Sequence, residues 1–431
     1  MDNVTHALAG LLLADATTTW VSSRQRSPAS GELPRRFAGV AAILGVVAAE
    51  LPDSDLVYSG SALGMGKLGY LLHHRGHTHT IVWAVAGALL LWLVARWWLT
   101  RGASEDERRW LSGEGSRSLL LLALLGTLSH ILLDWTNSYG VHPFWPLDNR
   151  WYYGDAVFIV EPWLWVVAIP AVMFTRRSRW APVLLAVLLF VILAASWGLN
   201  QVVRPVAVLL TVFAALWLLL QRGWSPKVRV TSGITAWVAV TLLFTLASSK
   251  AEALVRASAS VDGPDTVRDV ILNPAPGDPT CWAGIAVTND GQFHRLTTVL
   301  VAPWAWSGRT PASCASNYPV TSRLGGDVLK ALPEATTVIP FANTAAVQWR
   351  TSWLKPMSEL LGLAMEHCEF AAALRFMRAP AWREFGNGTV VLSDVRFGVG
   401  GGFAELAIPF SPVRRCSLTD AWIPEWKAPV L

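Results

Sequence analysis

The chain has 431 residues, of which 53% are hydrophobic and only 15% charged. That balance excludes an ordinary soluble protein, and 24 tryptophans suit side chains that sit at membrane interfaces. The net charge of +5 lies largely in arginines of short loops. It reads as a topology signal rather than a nucleic-acid surface, so no nucleic-acid partner is expected.

Apolar segments are expected at residues 4 to 21, 37 to 51, 81 to 99, 119 to 135, 157 to 174, 181 to 197, 202 to 220 and 234 to 247. These make about eight helices, several near the lower length limit for crossing about 30 Å of hydrocarbon. No typical cleavable signal peptide is expected: residues 1 to 21 lack a basic start, and polar residues interrupt the apolar stretch. Fifteen Lys and Arg residues, from Arg24 to Arg229, fall in alternate loops, and only Lys67, Arg75, Arg150 and Arg204 fall in the loops between. Basic loops stay cytoplasmic. The N-terminus, the loop before residue 81, residues 136 to 156 and everything after the eighth segment are therefore expected outside.

The expected division is a transmembrane domain over residues 1–250 and a soluble extracytoplasmic α+β domain over residues 251–431. All four cysteines, Cys281, Cys314, Cys368 and Cys416, lie in the second part. An even count there predicts two disulfides and an oxidising compartment. Asp290-Gly291 and Asn387-Gly388 stand between β-rich runs and predict hairpins. Residues 357 to 377 have helical periodicity. His294 and His367 stand alone and read as structural, and Gly400 to Gly402 read as a turn.

The chemistry gathers near the expected outer surface. Four histidines fall within Leu72-His73-His74-Arg75-Gly76-His77-Thr78-His79, at the mouth of the third segment. His6 lies near the outer end of the first segment, and Asp53 and Asp55 follow the second. His130 and Asp134, four apart on the fourth, share a helix face, and ionisable groups in a membrane helix are costly and usually functional. His142 lies in the next outer loop, and Glu161 enters the fifth segment. A mixed nitrogen and oxygen set without thiolate suits Zn²⁺ first, then Mn²⁺ or Fe²⁺. The number of ligands allows one to three ions.

Asp2-x-x-Thr5-His6, Pro52-Asp53-x-Asp55, His74-Arg75-Gly76-x-Thr78-His79 and Ser129-His130-x-x-x-Asp134 occur in this order. In these motifs the chain resembles the YdjM-like (DUF457) predicted membrane-bound metal-dependent hydrolases, over about residues 1 to 175. That family is considered similar to zinc-dependent phospholipase C and the S1/P1 nucleases. The resemblance implies a multi-pass protein of a bacterial inner membrane. It also implies metal ligation by His6, Asp53, His79, His130, Asp134 and His142, with His74 a ligand or an orienting group.

The expected reaction is hydrolysis of a phosphoester in a membrane lipid or lipid-linked substrate at the outer leaflet. Asp55 or Glu161 would orient the water, and Arg75 would donate to phosphate oxygens. The alternative is a non-enzymatic metal-binding membrane protein: a transporter, a sensor or a scaffold.

Overall fold

A computed structural model describes residues 1–24, 36–60, 66–175, 180–259, 267–318, 322–409 and 423–430. Its first part is helical. Helix α1 (Asn3–Arg24) starts where Asp2 accepts the Thr5 amide at 3.0 Å, satisfying an amide that the helix start leaves free. Helix α2 (Phe37–Glu50) runs into a 3-10 turn, Leu51–Val57, with Pro52 in its first turn. A short helix α3 (Gly66–His73) and the 3-10 turn His77–His79 follow. Helix α4 (Ile81–Thr100) is capped by Thr80, whose hydroxyl accepts the Trp83 amide.

Helices α5 (Glu105–Ser112) and α6 (Glu114–Trp135) complete the half that carries the motifs. The remaining helices are α7 (Pro162–Met173), α8 (Trp180–Gly198), α9 (Arg204–Gly223) and the 34-residue α10 (Pro226–Ala259).

Among the described residues, five helices are long and apolar enough to cross a membrane: α4, α6, α8, α9 and α10. Their apolar side chains face outward, as with Leu90, Leu184 and Leu209. Helix α7 is shorter and almost wholly buried, surrounded by α1, α8, α9 and α10. Fully apolar all round, it is an interior element.

The second part is built on antiparallel sheets. Strands β1 (Val267–Ala275), β2 (Asp278–Asn289), β3 (Phe293–Val301) and β4 (Val347–Pro356) form one sheet in sequential order. Strands β5 (Pro380–Phe385), β6 (Thr389–Asp394) and β7 (Glu405–Pro409) form the other. Both expected hairpins are present. Gly291 and Gly388 have φ of 88° and 73°, the left-handed backbone that such turns need. Residues 357 to 377 form two helices, Met357–Glu366 and Cys368–Leu374, interrupted at His367.

Cys281 and Cys314 are joined by a disulfide. Cys368 is also disulfide-bonded, and Cys416 lies outside the described residues. Buried ion pairs hold this part to the helical one. Arg378 bridges Asp155 and Asp269, each at 2.8 Å. Arg396 pairs with Asp394 and donates to the Ser138 carbonyl.

Candidate metal centre

Helix α2 delivers the turn with Asp53 and Asp55 against the last two turns of α6, and the turn before α4 closes over both. Four groups converge there: Asp53, His79, His130 and Asp134. The two imidazole Nε2 atoms, of His79 and His130, are 3.1 Å apart. Asp53 Oδ1 lies 3.4 and 3.5 Å from them, and Asp134 Oδ2 lies 3.1 and 3.4 Å from them. A tetrahedral site with bonds of about 2.0–2.1 Å has its ligand atoms about 3.3–3.4 Å apart. The five separations scatter around that edge length.

The orientation of each ring is fixed from behind. His130 Nδ1 lies 2.5 Å from the Ala49 carbonyl and so carries the proton it donates. His79 Nδ1 is 3.0 Å from the Thr78 hydroxyl and 3.4 Å from Asp55. Each Nε2 is thereby turned toward the other groups, the usual support for a metal-ligating histidine. Asp53 Oδ1 and Asp134 Oδ2 are buried with no hydrogen-bond partner. Two facing imidazole nitrogens and two orphaned carboxylate oxygens fit a shared cation, so the group could hold a metal ion.

Asp55 sits beside this group and organises it. Its carboxylate accepts from the Arg75 amide at 2.9 Å and the Thr78 hydroxyl at 2.8 Å, and it meets His74 Nδ1 at 2.9 Å. Burial pushes its carboxyl up, but the bonds with His74 and His79 outweigh that and hold it below the usual carboxylate range. Asp53 is likewise held low, burial being overcome by His130 and His79. Asp53, Asp55 and His74 make a second close group that could hold an ion.

Arg75 has φ of 60°, a left-handed conformation at the end of α3. That backbone turn lets its amide face Asp55. Its guanidinium reaches the far side of the centre, with Nη2 3.0 Å from Asp134 Oδ1 and Nη1 donating to Asn137 Oδ1. The Met1 amino group donates to the same Asp134 oxygen. His6 Nε2 comes within 3.3 Å of that oxygen, and its ring stacks on His130 at 3.7 Å.

Two expected site residues lie elsewhere. The His142 ring packs between Trp151 and Trp426, with centroids 3.8 and 3.7 Å away, and Nδ1 faces the Arg75 carbonyl. Burial lowers its pKa to about 3, which keeps the ring neutral. Glu161 caps α7: its carboxylate accepts from the Trp163 and Gly277 amides at 3.2 and 3.1 Å. Val141 and Tyr152 form an antiparallel bridge that closes the loop holding His142.

Other participants stand outside the expected set. Thr78 lies within the histidine motif itself, and Asn137 follows Asp134 by three residues. Glu50 accepts from Asn3 Nδ2 at 2.9 Å, while its other oxygen is buried without a partner. Trp426 arrives from the far end of the chain to stack on His142 and to donate to the Leu72 carbonyl at 2.8 Å. No local signal in the sequence marks that tryptophan.

No curated protein and no solved structure matches the chain. Residues 1–203 match the family described as YdjM inner membrane protein. That stretch holds the whole group of buried histidines and carboxylates and three of the five apolar helices. Over residues 1–203 this membrane protein is therefore similar to the YdjM inner membrane protein family.

Proposed function

We propose that the chain is a membrane-bound metal-dependent hydrolase that cleaves a phosphoester in a lipid-like substrate at the outer leaflet. The convergence of His79 Nε2, His130 Nε2, Asp53 Oδ1 and Asp134 Oδ2 at near-tetrahedral separations carries this reading. These four residues would hold the ion, Zn²⁺ by its donor set, with Mn²⁺ or Fe²⁺ next. When bound, such an ion supplies Lewis acidity and activates water near neutral pH.

The protein's own contribution is position and charge. Asp55 and the Ala49 carbonyl fix the two rings. Arg75 places a guanidinium beside the centre with its Nε buried and unpartnered, a donor suited to a phosphoryl oxygen. His74 and Asp55 add a second ligand group for a further ion. Residues 251–431 would form an extracytoplasmic domain over this site.

A second reading has its own support. His79, His130 and Asp134 are fully buried, and a closed four-ligand set is the mark of a structural metal. The chain would then be a non-enzymatic metal-binding membrane protein. The two readings part on turnover. Elemental analysis of the purified protein should find at least one transition metal per chain, and His130→Ala should lower occupancy by about tenfold or more. A panel of phosphoesters in detergent and vesicles should show turnover that chelation abolishes and Zn²⁺ or Mn²⁺ restores. Metal without turnover would select the structural reading, and a metal-free wild type would end both.

A further inference from the structure

A cavity of about 320 Å³ lies between the outer loops of the helical part and the four-stranded sheet. Asn137 and Tyr139 line it from the end of α6, Ile159 from the start of α7 and Gln201 from the α8–α9 turn. Asn273 and Arg323 close it from the other side. Among the described residues, no carboxylate lines it, and Arg323 is its one formally charged side chain.

Arg323 also lines an adjoining cavity of about 390 Å³, together with Arg350 and Arg396. Those two arginines are neutralised. Arg350 pairs with Asp327 and donates to the Leu324 carbonyl, and Arg396 is held by Asp394. Arg323 makes no hydrogen bond or ion pair among the described residues, and its side chain is exposed.

The opposite wall offers donors without acceptors. Asn137 Oδ1 accepts from Arg75 Nη1 and from the Tyr139 amide, which fixes the amide group and leaves Nδ2 as its free end. Asn137 Nδ2 and Tyr139 Oη are both buried without a partner, in residues only 5% and 7% exposed. Buried polar atoms of this kind are rare and call for an explanation. One cation without an ion partner and two orphaned donors, in residues that line a cavity free of carboxylates among the described residues, have the chemistry of a site for a multi-acceptor anion. The volume exceeds that of a single small ion, and Ile159 at its wall is 47% exposed at the start of a membrane-level helix.

We propose that this cavity binds a phosphate-bearing anion, with Arg323 as counter-charge and Asn137 and Tyr139 as donors. The site is distinct from the candidate metal centre, borders it through Asn137, Arg75 and the Tyr139 ring, which lies 4.7 Å from the Arg75 guanidinium and 5.5 Å from the His74 ring, and requires no metal.

The test uses the full chain in detergent, as wild type and as metal-stripped His130→Ala. Three probes are titrated: inorganic phosphate, a short-chain phosphatidate, and a phosphatidylcholine of the same chain length. Both proteins should bind phosphatidate at least about tenfold more tightly than the zwitterionic lipid. Arg323→Gln should remove that preference and Arg323→Lys should recover part of it, with thermal midpoints unchanged because Arg323 makes no hydrogen bond or ion pair among the described residues. Competition by inorganic phosphate identifies the phosphate group itself as the ligand, and binding of phosphatidate alone identifies a lipid headgroup. Arg323→Gln binding like wild type, equal affinity for both lipids, or no binding of any probe overturns the proposal. Loss of binding in His130→Ala would put the anion at the metal centre and also overturns it, while the hydrolase reading would survive.

Discussion

At the scale of single residues, Asp55 separates what the sequence displays from what only the fold decides. A Pro-Asp-x-Asp motif beside a histidine cluster marks both aspartates as site residues, but it does not say which faces the centre. The structure gives Asp53 the inward place, while Asp55 ties together His74, the Arg75 amide, Thr78 and His79. The histidines divide in the same way. His79 turns Nε2 inward, whereas the ring of His77 meets Trp145 and Trp426, each with centroids 4.8 Å away. Four histidines in seven residues are visible in the sequence, but the direction of each ring depends on the tight turn at Arg75 and Gly76. Asp55→Asn would put an amide N–H₂ against groups that already donate, so the His79 ring should lose its support. Metal affinity should fall by about 10–100-fold, as for other groups that orient a ligand, while the helical content stays unchanged. Chelator-competition titration measures this. Unchanged affinity with reduced turnover would mean that Asp55 serves the water instead.

At the scale of elements, local patterns are read well and close contacts between helices are not. The hairpins at Asp290-Gly291 and Asn387-Gly388 are two-residue signals and appear where expected. The pairing of β4 with β3 spans a long connection that has no hairpin signature. The same holds for α1 and α2, whose apolar runs suggest membrane segments but not how tightly they meet. A Cβ at Gly45 would lie 2.3 Å from the Gly10 carbonyl oxygen, and one at Gly10 would lie 2.3 Å from that of Gly45. Small residues let helix backbones approach this closely in a membrane. The contact matters for the site because α1 carries His6 and α2 leads directly into Asp53 and Asp55. Gly45→Ala should therefore push the helices apart, lower the thermal midpoint and weaken metal binding together. An exposed control such as Gly39→Ala, where a Cβ meets nothing within 4 Å, should change neither. Wild-type stability and affinity in Gly45→Ala would show that this contact does not position the ligands.

At the scale of the whole molecule, the question is which side of the membrane holds the site. Arg378 reaches from the sheet region to Asp155, and Arg396 reaches Ser138, so the sheet region and the loop after α6 share one face. The His77–His79 turn at the start of α4 lies on that face too. Arg101, Arg108 and Arg109 lie beyond the other end of α4, a 20-residue helix about 30 Å long. Arg222 stands in the last turn of α9 and Lys227 in the first turn of α10, helix ends that likewise lie away from the sheets. Charge bias assigns the arginine-rich ends to the cytoplasm. The Cys281–Cys314 disulfide is independent support, since such bonds persist in oxidising compartments. The candidate centre is therefore expected on the outer side of the membrane. A membrane-impermeant maleimide should label Glu384→Cys in intact cells and should label Glu105→Cys only after lysis, both positions being exposed. Non-reducing mass spectrometry should recover Cys281 and Cys314 in one linked peptide pair. Labelling of Glu105→Cys from outside, with Glu384→Cys protected, would invert the protein in the membrane and move the proposed substrate to the cytoplasmic leaflet.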